Sequence, residues 1–417
     1  MRIRGGIVVT PAGARQADIC LAAGRIAAIE EPRGGAGLDA DGCYVLPGGV
    51  DPHTHILADV AAASVAAARG GTTSVLSFTA PRPGEPPAAA WRRAREELLP
   101  AATVDVRLHP SIWEPERLVR DDLEALRAAG ARSVKLFLAY GELGMQASDR
   151  VLIETLRAAR ELGLLVQLHC ETGETIARLV ATALAAGRTG AAVFAETRPP
   201  EAEEDAVGRA LALAARAGAP VYLVHLSTAG ALDRVREARA RGQTVWAEAC
   251  THHLALDDSV YRHEEAWRFL VAPPLRAREH VEALWDALAD GTIDAVGSDH
   301  AQEQYRPPPA PDFTGLPYGL AGVEERLPVL LSLGLARGLP VERLAELLAA
   351  GPARAFGLSP RKGAIAPGSD ADLVIWDPRG STSFRHGVYA GLELRGSVRA
   401  VLRAGEPVAG LRPVGID

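Results

Sequence analysis

The chain has 417 residues, 23% charged and 48% hydrophobic, the proportions of an ordinary globular protein, which exclude the disordered and fibrous classes. Its formal net charge of −7, with no run of Lys or Arg, excludes a dedicated nucleic-acid surface, because phosphate binding needs clustered cations. No stretch reaches ~18 consecutive apolar residues, so no membrane span is expected, and the N-terminus lacks the apolar core of a signal peptide.

The first 46 residues hold short β-like runs at 6–10, 17–21, 25–30 and 42–46, and 370–377 and 396–402 have the same character. This pattern predicts one small β-domain built from both termini, 1–46 with 366–417, and a separate unit over 47–365. From residue 44 onward apolar strands alternate with helical stretches. The strands are expected at 44–50, 72–78, 104–108, 133–139, 164–169, 221–226, 244–249 and 295–298; helices are expected at 116–129, 149–162, 203–217 and 229–240. Eight apolar strands, each followed by helical material, point to a parallel sheet covered on both faces and to a closed (β/α)₈ barrel of the α/β class. A doubly wound open sheet is the weaker alternative, because no G-x-G-x-x-G follows the first strand; Gly70-Gly71 precedes a strand and reads as a turn.

The chemistry gathers at the C-terminal ends of these strands. In Asp51-Pro-His-Thr-His55, directly after the first barrel strand, residues i and i+2 face the same way, so His53 and His55 present two imidazoles to one point. Paired imidazoles suit a borderline metal such as zinc. His169, His225 and Asp299 each end another strand. One histidine at a strand end is ordinarily a hydrogen-bonded structural residue. Five such groups from four strands are not, because burying them unpaired is costly.

Lys135 stands inside the apolar run Ser133-Val-Lys-Leu-Phe-Leu-Ala139, and only it and Lys362 are lysines among 45 basic residues. A desolvated lysine has a lowered pKa and a nucleophilic amine, which arginine lacks, and such an amine can react with carbon dioxide to give a bidentate carbamate. The plain alternative is a salt-bridged strand lysine partnered by Glu248. His109, His263, His280 and His386 read as surface or hydrogen-bonding residues, while His252, His253 and His300 lie beside strand ends and could line the pocket. Cys20, Cys43, Cys170 and Cys250 are far apart and read as buried thiols in a reducing cytoplasm. Ser227 and Ser298 adjoin histidines, but no G-x-S-x-G elbow supports a serine hydrolase.

This order of His-x-His, strand lysine, His, His and Asp resembles the cyclic amidohydrolases of the amidohydrolase superfamily, most closely the dihydropyrimidinase/hydantoinase branch. The resemblance runs through Pro47-Gly-Gly-Val-Asp-Pro-His-Thr-His55, Gly70-Gly-Thr-Thr73, Ser133-Val-Lys-Leu-Phe-Leu-Ala-Tyr140, Pro273-Pro-Leu-Arg276, Gly297-Ser-Asp-His300, Gly322-Val-Glu324, Pro360-Arg-Lys-Gly363 and Gly368-Ser-Asp-Ala-Asp-Leu-Val-Ile-Trp-Asp377. It implies a (β/α)₈ TIM barrel with a β-sandwich formed from both termini. It also implies two divalent cations per subunit, zinc being favoured. One would be held by His53, His55 and Asp299 and the other by His169 and His225, with N6-carboxylated Lys135 and a hydroxide bridging them. Asp299 would carry the proton to the leaving nitrogen, Tyr140 would stabilise the oxyanion, and Ala272, Tyr318 and Gly319 would line the ring.

The expected enzyme is thus a cytoplasmic, homodimeric or homotetrameric hydrolase that opens a hydantoin or dihydropyrimidine ring. Alternatives are an allantoinase or dihydroorotase and, far behind, a metal-free scaffold relative. The chain departs from the pattern in places. Ile56-Leu57 and 77–80 lack the arginine and asparagine of dihydroorotases, and the segment from His55 to Gly70 is shorter than in hydantoinases. Ala272 and Tyr318 replace a serine and an asparagine, and little chain follows Gly405, where many hydantoinases carry a long tail used in assembly.

Overall fold

Strands near the N-terminus pair because apolar and polar side chains alternate along them. β1 (Arg2–Thr10), β2 (Gly13–Ala22) and β3 (Arg25–Glu30) run antiparallel in sequence, and β4 (Leu38–Asp39) and β5 (Tyr44–Pro47) each lie parallel to β1. The structure is a computed structural model that describes residues 1–301, 310 and 312–408.

Eight strands follow with helices between them: β6 (Gly49–Thr54), β7 (Thr72–Phe78), β8 (Asp105–His109), β9 (Ser133–Phe137), β10 (Leu165–His169), β11 (Val221–Leu223), β12 (Val245–Cys250) and β13 (Ala295–Gly297). They pair in parallel as β6–β7–β8 and as β9–β10–β11–β12–β13. Single bridges close the ring: Ser111 with Lys135 joins the β8 side to β9, and Thr54 with His300 joins β6 to the β13 side. The result is the (β/α)₈ barrel expected from the strand count. Both seams fall at residues singled out from the sequence.

The C-terminal strands β14 (Leu373–Thr382), β15 (Leu394–Arg403) and β16 (Glu406–Pro407) complete a mixed sheet in the order β16-β15-β14-β5-β1-β2-β3, with β4 on β1. Its core is Ile3, Ile19, Ile26, Leu373, Ile375 and Leu402, contributed by both ends of the chain. Residues 409–417 of the expected terminal unit lie outside the described residues.

Several local expectations need correction. The strand expected at 44–50 is two: Tyr44–Pro47 pairs with β1 and β14, whereas Gly49–Thr54 enters the barrel, so His53 lies within its strand rather than after it. The strands expected at 221–226 and 295–298 end early, because His225 and Asp299 adopt φ of 40° and 49°, a left-handed backbone that no strand continues. The helix expected from 116 starts at Arg120: Pro115–Arg117 forms a separate 3₁₀ turn, and the Asp122 carboxylate accepts the Val119 amide at the helix entrance. By contrast Asp149–Leu162 is a helix as expected, with Ser148 accepting the Val151 amide at its start and Gly163 left-handed at its end.

The second lysine ties the two units together. Lys362 Nζ lies 2.5 Å from Asp372 and 3.1 Å from Asp370, both beside β14, and bonds Asp105 of β8, which Arg403 also holds. Burial alone would raise the Asp105 carboxyl, but Lys362 and Arg403 reverse this and hold it below its ordinary value. The clamp therefore stabilises the fold above the carboxylate range and is lost as the pH falls through it. Lys362→Met leaves three carboxylates facing one another, and urea unfolding is expected to show a loss of about 2–4 kcal/mol. An unchanged midpoint would show that the clamp contributes nothing.

Candidate metal centre

All six residues of β6 are buried. Alternation along this segment sets His53 and His55 on one side, with their rings 5.4 Å apart. Gly297 of β13 lets them approach, since a Cβ there would meet the His53 Cβ at 2.9 Å. Two residues on, Asp299 Oδ1 lies 3.1 Å from His53 Nε2 and 3.2 Å from His55 Nε2. Three donor atoms thus converge on one point, with the spacing and chemistry of a divalent-cation site.

His53 is aimed from behind. Its Nδ1 lies 2.6 Å from Glu248 Oε1, and Tyr222 Oη donates to the other carboxylate oxygen at 2.7 Å. This fixes a proton on Nδ1, so Nε2 is the nitrogen that a cation at the point of convergence would take, displacing the second proton. Burial opposes charge on His53, but Asp299 and Glu248 overcome it and raise its pKa to about 9. Burial likewise opposes ionisation of Asp299, yet His53 and His55 hold it well below the ordinary carboxylate range. The site draws in positive charge, which a divalent cation supplies.

A second pair faces the first. His169 Nε2 lies 2.8 Å from Glu171 Oε2, so the proton sits there and Nδ1 is the free nitrogen. That Nδ1 is 3.0 Å from His225 Nε2, and the His225 ring is 5.4 Å from that of His53. Burial lowers the pKa of both His169 and His225, keeping them neutral donors. Among the described residues no carboxylate belongs to this pair's convergence point, so a cation there needs a further anionic ligand.

Lys135 is the residue expected to supply it. It is 1% exposed, and its Nζ lies over the rings of Phe78 and Phe137, 4.9 and 5.5 Å from their centroids. Nζ has no hydrogen bond or ion pair among the described residues, and Glu248, its expected partner, bonds His53, Tyr222 and the His225 amide instead. Its charge is nevertheless felt by His55, His169 and His225, one member of the first cluster and both of the second. Burial lowers its pKa to about 8, although Glu248 and Asp299 oppose the shift.

The remaining expected contacts form the rim. Tyr140 has φ of 66° and its ring centroid lies 4.9 Å from that of His169. Tyr318 stacks on Tyr140 with centroids 6.3 Å apart and is 40% exposed at the mouth. Ala272 is buried, and the Gly319 amide is already donated to the Leu270 carbonyl, so it is not free for a ligand. His300 is a structural residue: its carbonyl accepts the His55 amide and its Nδ1 accepts from Gly322 and Val323. His109 is buried and bonds Ser133. Glu171 and Tyr222 were not anticipated, and the alternative reading of Lys135 as salt-bridged to Glu248 is not what forms. An isolated glutamate within the apolar strand β12 was the available signal.

The family model described as "Amidohydrolase family" matches residues 44–408. The chain belongs to the amidohydrolase family. It is similar to the D-hydantoinase of Geobacillus stearothermophilus, 38% identical over 90% of this chain and 84% of that protein. Among solved structures, the D-hydantoinase of Bacillus sp. AR9 superposes with a TM-score of 0.93 at 39% identity, covering 99% of this chain and 96% of that one. The dihydropyrimidinase of Brevibacillus agri superposes with a TM-score of 0.93 at 34% identity, covering 99% and 95%. The expected resemblance and fold class stand, and this amidohydrolase carries its candidate metal-binding residues at the C-terminal mouth of the barrel.

Glu248→Gln keeps an acceptor near His53 but removes the charge that aims it. Affinity for divalent cation, measured by chelator competition, is expected to fall roughly 10- to 100-fold while the fold is retained. Unchanged affinity would show that Glu248 has no part in the site.

Proposed function

We propose that this amidohydrolase opens cyclic amides of the hydantoin or dihydropyrimidine class at a site holding two divalent cations. His53, His55 and Asp299 hold one, His169 and His225 hold the other, and Lys135, carboxylated at Nζ, joins the two. Zinc suits the nitrogen and oxygen donors. The observation that carries this reading is Lys135 itself, a buried amine with a lowered pKa and no hydrogen-bond or ion-pair partner among the described residues, on the strand beside the one that ends in His169. Carboxylation removes the cation and supplies the anionic ligand that the His169–His225 pair lacks.

When bound, the cations lower the pKa of water and polarise a carbonyl oxygen. The chain's own groups do the rest. Asp299 is held ionised and accepts the proton of the attacking water. The same carboxyl then gives that proton to the ring nitrogen as the amide C–N bond breaks, leaving a carboxylate and an open carbamoyl chain. Burial raises the Tyr140 pKa well above its ordinary value, so its hydroxyl stays protonated and donates to the carbonyl oxygen as negative charge develops. Ala272, Tyr318 and Gly319 border the ring, Tyr318 from the open side.

Lys135→Arg separates a bridging carbamate from a structural cation, because arginine keeps the charge and forms no carbamate. The variant is expected to lose at least one cation by elemental analysis and about three orders of magnitude in kcat, roughly 4 kcal/mol of barrier. Lys135→Ala is expected to recover partly with short carboxylic acids. An active, fully metallated Lys135→Arg protein would overturn the reading.

In a spectrophotometric panel, hydantoin or dihydrouracil is expected to be opened fastest. Dihydroorotate is expected to be poor, since Ile56 and Leu57 offer its carboxylate no cation, a deficit of about 2–4 kcal/mol or roughly 30- to 1000-fold. Dihydroorotate as the best substrate would contradict the assignment.

A further inference from the structure

Behind the candidate centre, where β12 runs into the short helix Thr251–Ala255, lies a second group of donors that the ring-opening reading does not use. Cys250, His252 and His253 are each at most 2% exposed. Each can bring one sulfur or nitrogen atom within 4.8 Å of those of the other two.

Among the described residues only one of the four imidazole nitrogens has a hydrogen-bond partner. His253 Nε2 lies 3.0 Å from the Pro273 carbonyl oxygen. A carbonyl can only accept, so the proton sits on Nε2 and Nδ1 carries a bare lone pair, which has no partner. Neither nitrogen of His252 has one, although the Ser298 main chain approaches it. Polar atoms left dry in a closed interior cost roughly 1–3 kcal/mol each. Protonation does not relieve this, because burial pushes His252 down to about 4 and His253 well below its ordinary value. Burial raises the Cys250 thiol well above its ordinary value, the Asp299, Glu248 and Asp51 carboxylates add to the shift, and Lys135 opposes it. Two neutral nitrogens with free lone pairs and one sulfur, in a negative environment, are complementary to a cation.

We propose that Cys250, His252 and His253 form a separate site for one thiophilic divalent cation of the zinc and cadmium kind. On binding, a metal–sulfur bond forms and the Cys250 thiol proton leaves to solvent, with no change of oxidation state. The His253 Nε2 bond to Pro273 acts as the outer anchor that orients the ligating ring. Sulfur sets this site apart, since every donor of the proposed catalytic pair is nitrogen or oxygen.

That difference supplies the test. Cobalt(II) titrated into the metal-free protein is expected to bind in one equivalent beyond the catalytic pair and to give a thiolate-to-cobalt charge-transfer band. Cobalt entering the catalytic pair gives no such band, so failure of either assignment is seen separately. Cys250→Ser is expected to abolish the band and Cys170→Ser to leave it. His252→Asn and His253→Gln are expected to weaken cobalt affinity roughly tenfold or more. Absence of the band from the wild-type protein would overturn the proposal, as would its survival in Cys250→Ser. A band indifferent to both histidine variants would also overturn it, assigning the thiolate to His53 and Glu248, which also lie within ligand distance of Cys250.

Discussion

A lysine amine enclosed in a barrel, with no hydrogen-bond or ion-pair partner among the described residues, is the constraint around which the rest of this structure is arranged. Lys135 lies on the inner wall between Phe78 and Phe137, where an ammonium is poorly solvated and no described carboxylate pairs with it. Four imidazoles and Asp299 crowd the same space. A dry collection of donors with one fixed anion is unstable by itself, and the proposed cations with an added anionic bridge would resolve it. The chemistry of ring opening follows from that resolution.

The scaffold holds the constraint in two ways. Backbone strain accompanies the site groups: the candidate ligands His225 and Asp299, with Tyr140 at the rim, are three of six non-glycine residues with left-handed φ among the described residues. A layer of carboxylates behind the donors then fixes their direction. Glu248 holds His53, Glu171 holds His169, and Asp51 Oδ1 accepts the amides of both His53 and Ser298, tying β6 to β13 across the seam beside Asp299. Asp51 is balanced by the buried Arg326, whose Nε lies 3.6 Å from Oδ2.

Much of this was legible in the sequence, for physical reasons that also explain the omissions. Buried parallel strands are apolar on both faces, so a polar residue at their C-terminal end stands out, and His169, His225 and Asp299 were found that way. The scarcity of lysine marked Lys135 and Lys362, and both occupy places where a compact amine with its own chemistry is used. Glu248 was visible as a charge in an apolar strand, but its partner was not, because distance along a strand does not reveal which neighbour across the barrel it meets. The division of residues 44–54 between two sheets was hidden for a similar reason: one continuous apolar run serves both. The Cys250–His253 group could be noticed but not interpreted until the lack of partners for its nitrogens was seen.

The central claim is that Lys135 is a carbamate in the working protein. The most direct measurement is ¹³C NMR of the zinc-loaded protein equilibrated with ¹³C-bicarbonate, with Lys135→Arg as the reference. The account predicts one carbamate carbon resonance per chain, broadened or shifted on metal exchange and absent from Lys135→Arg. A fully metallated, active protein with no such resonance would contradict it.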